Sequence, residues 1–226
     1  MKKTIAIFLV AAALALTSLP GCKGRDERIQ DGISAELKGV LYNFSSYEPV
    51  KTTVDSLFQS PETLSEIVDL AIQMDQPARD MEKCVEHFND AKEMAAIYDR
   101  PYRDTYAQHK IDMAQAQMNE CREKIEMYRA DIVEILKEMY PLINSLDDSD
   151  NKLQGWQVSQ RFKCLTAGGL PTFGDYVFLF DKDAEECKVA IPRDEYEKMW
   201  EFIERLYKVP EETFMEKIDS IDLIGE

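Results

Sequence analysis

Glycine is missing from Val40 to Gln154, about half of the 226-residue chain, and histidine occurs only twice, as His87 and His109. Basic charge is also short, with 27 Lys and Arg against 43 Asp and Glu. Each shortage excludes something. With two histidines, both in one helical stretch at different levels, no Ser-His-Asp or Cys-His arrangement can be drawn, and no catalytic residue is assigned. Without clustered Lys and Arg to displace counterions from phosphates, nucleic acid is not a partner. Gly168-Gly169 has no lysine-threonine pair behind it, which excludes a P-loop. The acidic groups Asp147-Asp148-Ser149-Asp150-Asn151 and Asp181, Asp183 and Glu185 do not match an EF-hand: the first lacks the sixth-position glycine, and the second has Pro192 at position twelve. No metal and no cofactor is expected, and the acidic residues read as turns, caps and solvated helix faces.

No apolar run reaches the roughly 20 residues of a membrane span. The longest, Ile5 to Leu16, follows Lys2 and Lys3 and ends at Thr17, Ser18 and Pro20. A positive start, a short apolar centre and small or turn-forming residues are the parts of an export signal, expected here over 1–21. Leu19-Pro20-Gly21-Cys22 closes it. This stretch resembles the lipobox of bacterial lipoproteins, with an apolar residue at minus three, a small one at minus one and then the cysteine; Pro20 departs from the usual small residue at minus two. The resemblance implies that the mature chain begins at Cys22, carrying a diacylglycerol thioether and an amide-linked acyl chain such as palmitate. Two or more chains anchor a protein stably where one does not. Lys23 in place of an aspartate implies delivery to the outer membrane. The stretch Lys23-Gly24-Arg25-Asp26-Glu27 loosely resembles the charged signals that take lipoproteins of Bacteroidetes-like bacteria to the cell surface, although its acidic pair sits later. The general plan is similar to uncharacterised lipoproteins of such bacteria. Both the periplasmic face and the cell surface stay open.

Removing Lys2 and Lys3 with the signal takes the net charge from −16 to about −18. An anionic lipid surface would repel such a chain, so Cys22 must hold the membrane. Cys84, Cys121, Cys164 and Cys187 remain, an even number in an oxidising compartment.

In the glycine-free body, apolar residues recur at steps of three and four. One series runs Leu64, Ile67, Ala71, Met74, Ala78, Met81, Val85, Phe88 and Ala95, with Lys92 as a polar interruption; the other runs Ile111, Ala114, Met118, Cys121, Ile125, Tyr128, Ile132, Ile135, Met139 and Leu142. Each predicts a long helix with a narrow apolar stripe. Ser60-Pro61 reads as the first helix start. Pro77 is expected to kink or split that helix near Asp75. Pro141 and the polar stretch to Asn151 are expected to end the second. The polar Asp99-Arg100-Pro101-Tyr102-Arg103-Asp104 turn folds the two back as an antiparallel hairpin over 61–146. Positions whose numbers sum to about 205 then stand level. Cys84 and Cys121 meet that condition and are expected to form a disulfide. Two buried free thiols are the alternative, and a metal site using Cys84, His87 and Cys121 lacks a fourth ligand. The same heptads allow a coiled-coil dimer, but the short connection favours pairing within one chain and a monomer.

Over 22–60, Ile29, Ile33, Leu37, Val40 and Leu41 have helical spacing, Tyr42, Phe44 and Tyr47 read as an aromatic plug, and Glu48 to Val54 as a turn into a short extended piece. From Gly155 the pattern alternates. Trp156, Val158, Phe162 and Cys164; then Tyr176, Phe178 and Phe180; then Cys187, Val189 and Ile191 predict a three-stranded antiparallel meander. Asp181 to Glu185 would turn its second hairpin. Tyr196, Met199, Trp200, Ile203, Leu206 and Tyr207 predict a helix opened by Asp194 and Glu197 in capping-box spacing, covering the apolar face of the sheet. Cys164 and Cys187 share that face, and can bond only if the first and third strands are neighbours.

The expected fold is therefore α+β and mainly helical: a 22–60 tether with a helix and a short extended segment, the 61–146 helical hairpin, and a small 147–226 module of three strands covered by a C-terminal helix. The function that fits is a non-catalytic binding or adaptor lipoprotein with an envelope protein partner. A small-ligand carrier or envelope enzyme, with its site between sheet and hairpin, is the alternative.

Overall fold

A computed structural model describes residues 24–99, 104–146 and 152–210, together with 212, 213 and 216. The signal, Cys22, the centre of the 99–104 turn and the acidic 147–151 stretch lie outside them. Helix α1, Arg25–Val40, is followed by a short 3-10 turn, Phe44–Ser46, and strand β1, Glu48–Leu57. Then come α2, Pro61–Tyr98, and α3, Thr105–Ser145. Strands β2, Gly155–Leu165, β3, Pro171–Asp181, and β4, Cys187–Pro192, lead into α4, Arg193–Tyr207.

The sheet has four strands, not three, in the order β1-β2-β3-β4 with every neighbour antiparallel. The added member is the extended piece before the hairpin. β1 pairs with β2 from Glu48↔Lys163 to Leu57↔Gly155. The whole helical hairpin is thus an insertion between two adjacent strands, and β1 belongs to the same sheet as the C-terminal strands.

Both faces of the sheet are covered. One core holds Val177, Leu179 and Val189 against Leu64, Ile67 and Val68 of α2, Leu136, Met139 and Tyr140 of α3, and Tyr196, Met199 and Ile203 of α4. The other holds Val158, Phe162, Phe178 and Phe180 against Ile29, Ile33 and Leu37 of α1. Val177 to Phe180 are consecutively buried as a result, because successive side chains of a strand point to opposite faces. The face carrying Phe162 and Phe178, expected under the C-terminal helix, is covered by α1 instead; α4 and the hairpin take the opposite face. Cys187 and Val189 also part company. An irregularity in the β3–β4 pairing between Leu179 and Phe180 sets Cys187 opposite Phe180 and Val189 opposite Leu179, so one belongs to each core.

Caps follow local chemistry at the hairpin. The Ser60 hydroxyl accepts a hydrogen bond from the Thr63 amide at 3.2 Å with Pro61 in the first turn, and the Asp104 carboxylate accepts from the Ala107 amide at 2.7 Å. The expected capping box of the last helix is absent: Pro192 is the N-cap of α4, without a side-chain bond, and Asp194 falls inside the first turn. Neither internal proline stops its helix. α2 continues through Pro77 to Tyr98, and α3 continues past Pro141 to Ser145. Buried residues on each side, Tyr140 and Ile143 around Pro141, supply packing that offsets the lost ladder bond.

Leu57, Gly155 and Asp181 stand together at one end of the sheet, called the base here. α1 starts there, with the Arg25 guanidinium 4.3 Å from the Trp156 ring centre. α2 starts there too: the Gly155 Cα faces Pro61, and the Ser65 hydroxyl donates to the Lys188 carbonyl at 2.9 Å near the start of β4. α4 runs the other way and returns to the base, where Ile203 and Tyr207 lie beside Gln59, Ile143 and Leu146.

Candidate functional site

Two surfaces carry the features that remain once the cores are accounted for: the outer part of the hairpin, and a groove where the hairpin leaves the sheet. Beyond Met74 in α2 and before Ile132 in α3, no residue joins either core. Phe88, Ala91, Ile111, Ala114, Cys121 and Ile125 are buried there by the two helices alone. Tyr98 and Tyr106 meet edge to face near the tip, with centroids 5.9 Å apart, and the Arg122 guanidinium lies 5.8 Å from the Phe88 ring centre. The seam is filled within one chain. Its register shifts by one position from the sequence expectation: Ala91, 1 % exposed, takes the place assigned to Lys92, which is exposed. The stripe therefore has no polar interruption. Outside the seam, Ile97 (59 %), Tyr106 (60 %), Met113 (52 %) and Met127 (51 %) are open to solvent.

Cys84 and Cys121 line one shallow hollow of about 480 Å³ with His87, Glu120 and Lys124. The level pairing expected from the turn is thus what brings them together. Both are thiols here, and no disulfide occurs among the described residues. Burial, then the neighbouring Cys84 sulfur and Glu120, push the Cys121 thiol upward. Glu120 pairs with Lys124 at 2.7 Å, which lowers its carboxyl. His87 is exposed, as is His109 further along the hairpin, so each is a helix-surface residue. No group of three or more His, Cys, Asp or Glu able to hold a metal occurs among the described residues.

Cys164 and Cys187 are far apart. Cys164 stands opposite Thr172 and Cys187 opposite Phe180, at the two ends of β3, a separation of about 27 Å along the strand. Direct bonding would need Cα atoms within about 7 Å. Their shared membership of the α1-side core is real, but β3 lies between their strands. Burial pushes the Cys187 thiol up to about 12, and its Sγ donates to the Val189 carbonyl at 3.2 Å.

The groove lies between α2, β4 and α4 and has a volume of about 470 Å³. Val68, Ala71, Met74, Ile191, Met199 and Phe202 give it an apolar floor, and Asp75, Arg79, Glu195 and Lys198 form its rim. Arg79 donates from Nε to Asp75 Oδ1 at 2.9 Å and pairs with the same carboxylate through Nη2. The charges lie at the mouth, and no convergent set of buried polar groups lines the interior.

Other candidates have structural partners. Asp181 accepts from the amides of Glu185 at 2.7 Å and Glu186 at 3.1 Å, so its carboxylate closes the β3–β4 turn, with Ala184 in the left-handed region at φ 56°. The aromatic plug holds in part. Phe44 stacks on Tyr47 at 5.5 Å and Tyr47 tilts onto Phe162 at 5.4 Å, whereas Tyr42 is 83 % exposed. The Tyr47 hydroxyl accepts from Gln160 Nε2, and Thr52 donates to Gln160 Oε1 at 3.3 Å, which satisfies the fully buried Gln160 amide. Sequence reasoning missed Gln160, because its partners, Tyr47 and Thr52, lie more than a hundred residues earlier and meet it only through the pairing of β1 with β2.

No described helix is long and apolar enough to cross a membrane. Comparison of the chain with protein-family models, with curated proteins and with solved structures found no match.

Proposed function

We propose that this protein is a lipid-anchored component of the bacterial cell envelope, held at the outer membrane through Cys22, with a non-catalytic binding or adaptor role in which the hairpin is the docking surface. The observation that carries this reading is the outer half of the hairpin, which joins neither core yet exposes Ile97, Tyr106, Met113 and Met127. A self-contained arm of this kind does nothing for the sheet, and exposed apolar groups along it favour contact with another protein. In an oxidising compartment Cys84 and Cys121 close a disulfide that clamps the arm; their shared hollow supports the pairing.

The test is a pull-down from native envelopes with the full chain and with Cys22→Ala, read by mass spectrometry. A stoichiometric partner retained by the full chain, lost with Cys22→Ala and weakened by Met113→Asp supports the adaptor. Recovery of the lipidated chain without any partner overturns it.

A second reading rests on the groove between α2, β4 and α4: a carrier of a small apolar ligand with a polar end at the Arg79 and Lys198 rim. Native mass spectrometry of protein purified from its own envelope tests it, a bound small molecule supporting the carrier and a bare chain counting against it.

A further inference from the structure

Only Lys23 and Gly24 separate Cys22 from Arg25, the first residue of α1. Three Cα–Cα steps of 3.8 Å reach at most about 11 Å. α1 is fixed to the body, with Ile29, Ile33 and Leu37 fully buried against the sheet and Arg25 over Trp156. An acylated Cys22 therefore has no slack with which to let the body drift from the bilayer. The part that must lie at the headgroups is the base. Trp156 is held there by its indole donating to the Lys182 carbonyl at 3.0 Å. Phe58, just past Leu57, is 42 % exposed at the same end.

The hairpin leaves from this end and points away. Along α2, Ser65 contacts Lys188 near the start of β4, while Val68 to Met74 reach Ile191 near its end, so the helix runs from the base towards the far end of the sheet. At 1.5 Å per residue its 38 residues measure about 57 Å. Resting on the Cys22 anchor proposed above, we infer that the protein stands on the membrane: the base, with Arg25, Phe58, Trp156 and Lys182, faces the lipid headgroups, and the hairpin tip is held away from the bilayer on the order of 50 Å. Asp26, Glu27, Asp183, Glu185 and Glu186 share the base. Charge therefore does not draw it to an anionic surface, and the covalent chains with Trp156 and Phe58 make the seat on a zwitterionic one.

Neutron reflectometry on the full acylated chain, reconstituted in a supported phosphatidylcholine bilayer, reads this directly. The expected profile has dense protein beginning at the headgroups and a thinner layer reaching on the order of 50 Å outward. Protein confined within about 30 Å, the thickness of the three-layer body with the hairpin lying flat, overturns the upright arrangement. Inserting ten Gly and Ser residues between Lys23 and Gly24 should move the protein layer outward by about 15 Å; an unchanged profile overturns the short-tether account. Mass spectrometry of the same sample separates the two readings. Acyl chains on Cys22 with a flat profile sink the orientation alone, whereas an unmodified Cys22 sinks both the anchor and the orientation.

Discussion

At the residue scale the cysteines divide into two kinds. Cys84 and Cys121 are brought level by the hairpin, and their proposed disulfide closes a loop whose entropy is worth about 3 to 4 kcal/mol. Oxidised protein should therefore lose about that much stability on reduction, read by denaturant unfolding with and without reductant, and Cys84→Ser should abolish the difference. Cys187 has no such partner. Its buried thiol is raised from 9.0 to about 12, so between these values the unfolded chain has lost a proton that the folded chain keeps. Stability contributed by this group is fully present below pH 9 and falls as pH rises towards 12, by at most about 1.4 kcal/mol per pH unit. Cys187→Ala should flatten the slope in that window. Gly155 shows backbone crowding at the base: a Cβ there would stand 2.2 Å from the Phe180 carbonyl oxygen, and Gly155→Ala should cost about 1 to 3 kcal/mol in chemical denaturation.

At the element scale the decisive piece is α1, which closes the second face of the sheet. Ile33 is fully buried there, and Ile33→Ala should lose about 2 to 5 kcal/mol through a cavity over Phe162 and Phe178. The outer hairpin is built differently, with a seam one residue wide on each helix and no third layer. Amide hydrogen exchange should show Met81 to Tyr98 and Thr105 to Ile125 exchanging faster than β2 and β3, on the order of 100-fold, because local opening of the arm leaves both cores intact. Equal protection throughout would show a single cooperative unit.

At the scale of the whole molecule the chain joins a compact two-faced sheet to a hairpin whose part beyond Met74 extends about 36 Å, with α1 and α2 both starting at the base. Since the hairpin seam is filled in cis, light scattering on protein lacking residues 1–22 should return the mass of one chain, and a doubled mass would show that the exposed apolar groups of the arm pair between copies.

Local pattern determined the helices. Leu64 to Ala95 and Ile111 to Leu142 read correctly because a helix repeats its buried positions every three or four residues whatever it packs against, and Ser60 and Asp104 cap it through bonds to the next turn. The strands β2, β3 and β4 were legible for the same reason, with their turn at Asp181. The seam position of Ala91 and the persistence of α3 through Pro141 were settled by packing, which outweighs a single lost backbone bond, whereas α2 runs through Pro77 without buried neighbours on either side. The extended piece that became β1 was legible at Glu48 to Val54, but its place in the sheet was not: nine of its ten residues are not buried, and its partner strand comes about a hundred residues later. Nor was the choice of α1 over α4 to cover Phe162 and Phe178, since an amphipathic helix shows that it has an apolar face but not which surface will meet it. The separation of Cys164 from Cys187 followed from strand register, and register is fixed only when the strands pair. The sequence alone determined the helices, the three C-terminal strands and a cysteine at position 22 ahead of a helical stretch. Tertiary structure decided that this helix starts beside the root of the hairpin, because only the packing of distant segments brings the two ends of that geometry together.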